Sequence, residues 1–335
     1  MPHITIPATN TTFDCNDDTI MRAAARNGLG FPYECNVGSC GNCKFELLEG
    51  EVEHLRKDPP GWSERDLQRK RYLGCQAKPL TDCKIKLNLR DHYKSHYLPK
   101  KTVGTLAAIE DITHDIREFR FKLATPNPFL PGQYGLIAAH GVEGARAYSM
   151  SNVTTTGEEW HFQIRKVPNG ACTGALFDHL KVGDTVGLDG PYGMAWLRED
   201  APRDVVLLGG GSGLSPMVSL ARAATASEKL AGRKIHFFYG GRTPRDIFDA
   251  KLLSVLPGYG TRLLFHPAIS MPEAAETPWT GKVGFVHDFA KEMLGEGLRD
   301  CEIYFAGPPM MAQAITKMIV ELKVPTSQVH FDQFF

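Results

Sequence analysis

Cys35, Cys40 and Cys43 stand in the spacing C-x4-C-x2-C, and Cys75 follows 32 residues after Cys43. Four thiolates in this arrangement suit a [2Fe–2S] cluster. The loop carrying the first three reads FPYECNVGSCGNC, and it must wrap a compact group while its backbone N–H groups point at sulfur. Gly38 and Gly41 supply the dihedral freedom for so tight a wrap. Hydrogen bonds to the sulfurs would help hold a potential of about −400 mV. Four cysteines also suit structural zinc. Zinc loops usually pair one C-x2-C with a second short pair, and Cys75 stands alone, which favours the cluster. Cys15, Cys83, Cys172 and Cys301 read as small core or strand residues.

A second set of chemistry-bearing residues is Arg146-Ala147-Tyr148-Ser149, shortly after the PGQY of residues 131–134. It offers a guanidinium for phosphate, an aromatic face for a flavin ring and a hydroxyl for a ring nitrogen. In FQIRKVPNGACTGAL, Gly170, Ala171, Cys172 and Thr173 open a short helix whose N–H groups can receive a pyrophosphate. A tyrosine packed in a hairpin core and an ordinary capped helix would account for each feature alone. Their order along the chain favours flavin.

The third set is DVVLLGGGSGLSPM, with Gly209, Gly210, Gly211 and Gly213 between an apolar strand and a helix. That is the setting of a dinucleotide phosphate turn. Leu214 stands where the third glycine of G-x-G-x-x-G would fall, and Pro216 suits a first helical turn. No acid closes the next strand, FFYGGRTPRD, to hold a free ribose. Arg242 and Arg245 suit an extra phosphate there, or equally a solvated loop. Gly307 and Pro308 form another turn at the carboxyl edge of the sheet, where cofactors bind.

These residues need elements to position them, and the chain changes rhythm twice. Residues 1–97 hold six of the eight cysteines, with short strands around a helix at 19–27 for which Asp17 and Asp18 are cap candidates. Arg69-Lys70-Arg71 reads as helical before Cys75 and could meet an acidic partner, though a solvated helix face is the simpler account. The run HYKSHYLPKK, residues 92–101, reads as a linker on which the first unit could swing. Residues 98–200 give strand after strand with Gly and Pro turns, the pattern of an antiparallel barrel. Residues 201–335 alternate apolar strands with helices, the pattern of a parallel sheet covered on both faces. Lys+Arg and Asp+Glu balance at 38 each, which argues against a nucleic-acid or membrane surface. The opening residues lack a signal peptide and no apolar run spans a bilayer, so a cytoplasmic protein is expected.

The succession of cysteine loop, R-x-Y-S, GGGSG-L-S-P and GPP-x-M resembles the ferredoxin–NADP reductase superfamily over nearly the whole chain. More closely it is similar to reductase components of bacterial multicomponent oxygenases. FPYECNVGSCGNCKFELLEGEV, RAYSMSN and HFDQFF look most like toluene (aromatic) monooxygenase reductases, which serve di-iron hydroxylases. PGQY and the FxIRKVP run also resemble reductases of Rieske dioxygenases. The resemblance implies a β-grasp-like [2Fe–2S] ferredoxin domain, an antiparallel β-barrel FAD domain and an α/β NAD domain. It implies electron flow from NADH through FAD and the cluster to an oxygenase component or an intermediary ferredoxin. It places Arg146 on the flavin phosphates, Tyr148 against the isoalloxazine and Ser149 near N5, with Gly170 and Thr173 at the pyrophosphate. Gly190-Pro191-Tyr192-Gly193 resembles the turn into the NAD domain. Asp332 and Phe334 resemble an acid and an aromatic beside the flavin. Many relatives read C-G-P-P where this chain has Ala306, so a different hydride-transfer rate is expected.

Overall fold

The computed structural model describes residues 1–332. Its first unit is a mixed five-stranded sheet crossed by one helix, Ile20–Arg26. The central pair, His3–Ile6 and Cys83–Lys86, runs parallel, and the neighbouring pairs are antiparallel. Alternation decides which residues face the helix: Ile4 and Ile6, Phe45 and Leu47, and Ile85 are all buried. The helix buries Ile20, Met21 and three alanines, which lets it lie close to the sheet. Thr19, not Asp17 or Asp18, takes the N-cap position, and no side chain caps the helix. Asp18 instead accepts from the Thr19 N–H at 2.9 Å and from Arg26 Nε at 2.7 Å. The expected helix at Arg69-Lys70-Arg71 is shorter than that. It spans Glu64–Gln68 behind a Ser63 capping box, Lys70 turns to φ 50°, and Arg71 opens a strand.

The second unit is antiparallel, with six strands in the order Arg146–Ser149, Tyr134–Ala138, Thr185–Tyr192, Lys100–Asp111, Ile116–Leu123 and Glu159–Arg165. A bridge between Met150 and Phe162 closes it into a barrel. Trp160, Phe119, Phe121 and Phe162 fill the interior. Gly135 has no room for a side chain, because a Cβ there would lie 2.7 Å from the Trp160 ring.

The third unit is a six-stranded parallel sheet in the order Lys282–Val283, Leu263–Ile269, Ile235–Gly241, Asp204–Gly210, Cys301–Ala306, Val329–His330. Four strands are the apolar runs read from the sequence, and the two-residue edge strands carry too little pattern to be seen there. Separate apolar clusters cover the two faces. The central strands are therefore continuously hydrophobic, not alternating. Chain direction across the sheet reverses between Asp204–Gly210 and Cys301–Ala306. Above the carboxyl ends of that pair such folds leave a crevice.

The units are not beads on a string. Tyr134, Leu136 and Tyr192 of the barrel belong to the same buried cluster as the core of the first unit. No helix among the described residues is long and apolar enough to cross a membrane.

Candidate functional site

Cys75 joins the three cysteines of the loop, and the four sulfurs influence one another in two pairs, Cys35 with Cys40 and Cys43 with Cys75. Cys35 is pulled down to about 5, first by the Cys40 thiol and then by backbone N–H groups. Ser39 and Cys40 donate to its sulfur at 3.3 and 3.4 Å. Cys75 is lowered in turn by Cys43. Cys35 thus favours the thiolate, the ligand form, and Cys75 is shifted towards it. Gly38 at φ 84° and Gly41 at φ 80° make the wrap as the sequence implied. A single zinc with Zn–S bonds of about 2.3 Å would draw four sulfurs within about 3.8 Å of one another. Among the described residues no three of these sulfurs lie within 4.8 Å of one another. Two thiols for each of two irons fit the arrangement, and only Cys40 of the four is not buried.

The strand Arg146–Ser149 lies at the edge of the barrel sheet, paired on one side with Tyr134–Ala138. Alternation splits its side chains: Tyr148 leans on the barrel core, whereas Ala145 and Ala147 pack against the cluster that Tyr134, Leu136 and Tyr192 share with the first unit. Arg146 is exposed and uses Nη1 alone, on the carbonyls of Glu143 and Ala145 at 3.3 and 3.2 Å. The Ser149 hydroxyl makes no hydrogen bond among the described residues. An edge strand with a spare guanidinium, a half-buried tyrosine and a free hydroxyl fits a flavin nucleotide. Gly170 precedes the single turn Ala171–Gly174, whose first N–H groups have no carbonyl within the helix. The Thr173 hydroxyl is spent inside that turn, accepting from the Val167 N–H at 3.2 Å. What faces outward at this turn is therefore backbone.

At the crevice of the parallel sheet is a cavity of about 710 Å³, into which the barrel contributes Asp115 and Arg165. Of the four glycines, Gly210 and Gly211 line it. Gly209 lies beneath, where a Cβ would stand 3.2 Å from Met217 and Tyr239. Gly213 admits no side chain at all, since a Cβ would fall 1.9 Å from the carbonyl oxygen of Ala306. Arg242 and Pro308 line the cavity, and Gly307 packs beside it under Met311. Arg245 turns away to pair with Glu276 at 3.2 Å. An acid does reach the end of the second strand, although none is adjacent in sequence. Asp246 lines the cavity, with Oδ2 accepting from the N–H groups of Arg242 and Thr243 at 3.0 and 2.8 Å. The Thr243–Asp246 capping box was the signal that could have found it.

Sequence reasoning also missed the residues that join the units. Ser215, Ser219 and Arg222 lie on one face of the helix Leu214–Ala226 and donate to the carbonyls of Ser149, Asn152 and Ser151 at 2.6, 2.8 and 2.9 Å. The dinucleotide helix thereby grips the end of the flavin strand. On the other side, the Gly193 N–H donates to the Tyr33 hydroxyl and the next N–H, of Met194, to Asp332, both at 3.1 Å. Burial pushes the Asp332 carboxyl up to about 7, with Glu34 adding to the effect. Phe334 lies outside the described residues.

Three stretches match known domain families. Residues 4–80 match the 2Fe-2S iron–sulfur cluster binding domain, 103–196 the oxidoreductase FAD-binding domain and 207–317 the oxidoreductase NAD-binding domain. The chain is 37% identical to a ferredoxin–NAD(P)(+) reductase of Metapseudomonas resinovorans, over 95% of this chain and 94% of that one. It is 31% identical to the reductase component of a phenol 2-monooxygenase of Pseudomonas sp. strain CF600, over 99% and 94%. Among solved structures, the ferredoxin reductase in carbazole 1,9a-dioxygenase superposes with a TM-score of 0.92 at 35% identity, covering 100% of this chain and 98% of that one.

Proposed function

Because the chain belongs to the family of ferredoxin–NAD(P)+ reductase components of oxygenase systems, we propose that it draws electrons from NADH and delivers them singly to the hydroxylase of a di-iron aromatic or alkene monooxygenase. When bound, FAD would supply a two-electron hydride acceptor and the [2Fe–2S] cluster a one-electron relay. Cys35, Cys40, Cys43 and Cys75 hold the cluster. Arg146 neutralises flavin phosphate, Tyr148 supports the ring and Ser149 offers its free hydroxyl near N5. Gly170 opens, and Thr173 shapes, the turn that faces the pyrophosphate. Gly210 and Gly211 let the NADH backbone approach, Gly209 and Gly213 keep the strand and helix close enough to form that turn, and Gly307, Pro308 and Arg242 wall the other sides.

The observation that carries this reading is convergence. Gly193 and Met194, adjacent in the barrel, bond to Tyr33 of the cysteine-bearing unit and to Asp332 at the end of the NAD unit. The choice of NADH rests on the cavity's charge. Arg165 is spent on Asp115 at 2.6 Å, and Asp246, whose Oδ1 meets His114 at 2.9 Å, stands at the end of the second strand. An acid at that position suits a free ribose better than a 2′-phosphate. No disulfide joins any of the eight cysteines, which suits the cytoplasm. A second reading, service to a Rieske dioxygenase or its intermediary ferredoxin, is favoured by the likeness to the reductase in carbazole 1,9a-dioxygenase. Purified oxygenase components of each kind, offered as acceptors, separate the two.

An anaerobic absorbance titration tests the donor. Flavin and cluster bands are expected to bleach with about one and a half equivalents of NADH, two electrons for the flavin and one for the cluster. NADPH should do so only at much higher concentration. Protein carrying both cofactors that neither donor bleaches would overturn the reading.

A further inference from the structure

We propose that Arg26 and Asp189, together with Tyr33 and Tyr134, lock the cysteine loop onto the barrel, and that the cluster unit stays docked while it receives electrons and hands them on. These are positioning residues, and the proposal rests on the electron path inferred above. It replaces the swinging unit that the linker at 92–101 suggested.

The lock begins with a guanidinium shared between two units. Arg26 ends the helix Ile20–Arg26, and its Nη1 and Nη2 donate to the two carboxylate oxygens of Asp189 at 2.9 and 2.7 Å. Its Nε donates to Asp18 in its own unit. One planar group therefore spans the boundary with a bidentate pair on one side and a single bond on the other, a geometry that fixes direction as well as distance. Asp189 lies within the strand Thr185–Tyr192, so the pair joins two regular elements and no loop. Side-chain exposure is 22% for Arg26 and 13% for Asp189, and salt screens so enclosed a pair only weakly. The Tyr192 hydroxyl donates to Asp189 at 3.1 Å and backs it from within the barrel.

The tyrosines carry the lock to the ligands themselves. The Tyr134 hydroxyl, on the barrel, donates to the carbonyl of Glu34, the residue before Cys35. Tyr33, two residues before Cys35, accepts from the Gly193 N–H. The Tyr192 ring meets Tyr33 edge-on and Tyr134 at a tilt, both at 6.0 Å between centroids. All three rings are buried. A unit that swung away at each turnover would expose these rings and leave Asp189 without its cation. Docking leaves Cys40, the ligand that is not buried, accessible to an acceptor.

The test uses full-length protein with both cofactors. Asp189→Ala is the first variant, because Arg26 then keeps Asp18 and the cluster unit keeps its own ion pair. Asp189→Asn and Tyr33→Phe, which preserve shape, guard against a variant that merely misfolds. Small-angle scattering reads the placement directly. The wild-type radius of gyration should be the same oxidised and after NADH, and Asp189→Ala should be larger, with faster proteolysis within residues 92–101. In anaerobic stopped flow the variant's flavin should bleach with NADH at the wild-type rate, and its cluster at least tenfold more slowly. Expansion of the wild type on reduction, or cluster bleaching as fast in all three variants as in wild type, overturns the lock. If NADH fails to bleach the wild-type flavin, the donor assignment falls instead, and the radius of gyration of Asp189→Ala against wild type, with wild type reduced by dithionite, still decides the lock.

Discussion

Asp332 shows what a single residue gains from its setting. Its carboxylate faces Met194, Glu34, Arg198 and the hydroxyls of Tyr33 and Tyr134. Burial raises it to about 7, so it is neutral below that pH and charged above. Hydride loss leaves a cationic nicotinamide, which a carboxylate stabilises and a carboxylic acid does not. The rate of NADH-driven flavin bleaching is therefore expected to rise with pH through about 7, and Asp332→Asn should stay on the low plateau. A variant that keeps the wild-type profile would remove Asp332 from the reaction. The sequence placed this acid through resemblance alone, because what raises its pKa comes from residues far from it in the chain. Glycines were legible as a class and not as individuals. Four in one turn signal a close approach, but only the fold separates Gly211, which opens on the cavity, from Gly213, which is jammed on Ala306.

At the scale of elements, the helix Leu214–Ala226 was readable from its position after a glycine turn, while its polar stripe was not. Ser215, Ser219 and Arg222 recur at helical spacing opposite an apolar face, a pattern that ordinarily marks the solvent side. Here Ser215 and Ser219 are buried against the barrel. Ser215 also accepts from the buried Gln163 N–H at 3.1 Å. Ser215→Ala should leave that donor and the Ser149 carbonyl without their partner, and cost about 1–3 kcal/mol in unfolding free energy. Flavin reduction by NADH should slow, since the flavin strand loses its tie to the dinucleotide helix. Unchanged denaturation and unchanged bleaching together would show the contact to be incidental. The antiparallel and parallel sheets themselves were plain from hydrophobic rhythm. The edge strands Lys282–Val283 and Val329–His330 were not, because two residues cannot display a period.

For the whole molecule, the succession of three units could be read from composition and punctuation. How they sit together could not, because the contacts that decide it join residues from 52 to 163 positions apart. Arg26 with Asp189, and Tyr33 with Gly193, are ordinary polar or aromatic residues until the fold brings them face to face. One consequence is open to simple trial. A fragment of residues 98–335 should aggregate or bind hydrophobic dyes, since Tyr134, Leu136 and Tyr192 lose their cover. A monodisperse fragment with undiminished NADH–ferricyanide activity would speak against the shared core. That core also constrains ancestry. A gene segment for the cluster unit, moved by recombination into another reductase, would arrive with half of a tyrosine interlock and find the wrong half waiting. Such exchanges should survive chiefly where the recipient already carries matching barrel residues, so the two segments are expected to be inherited as a pair.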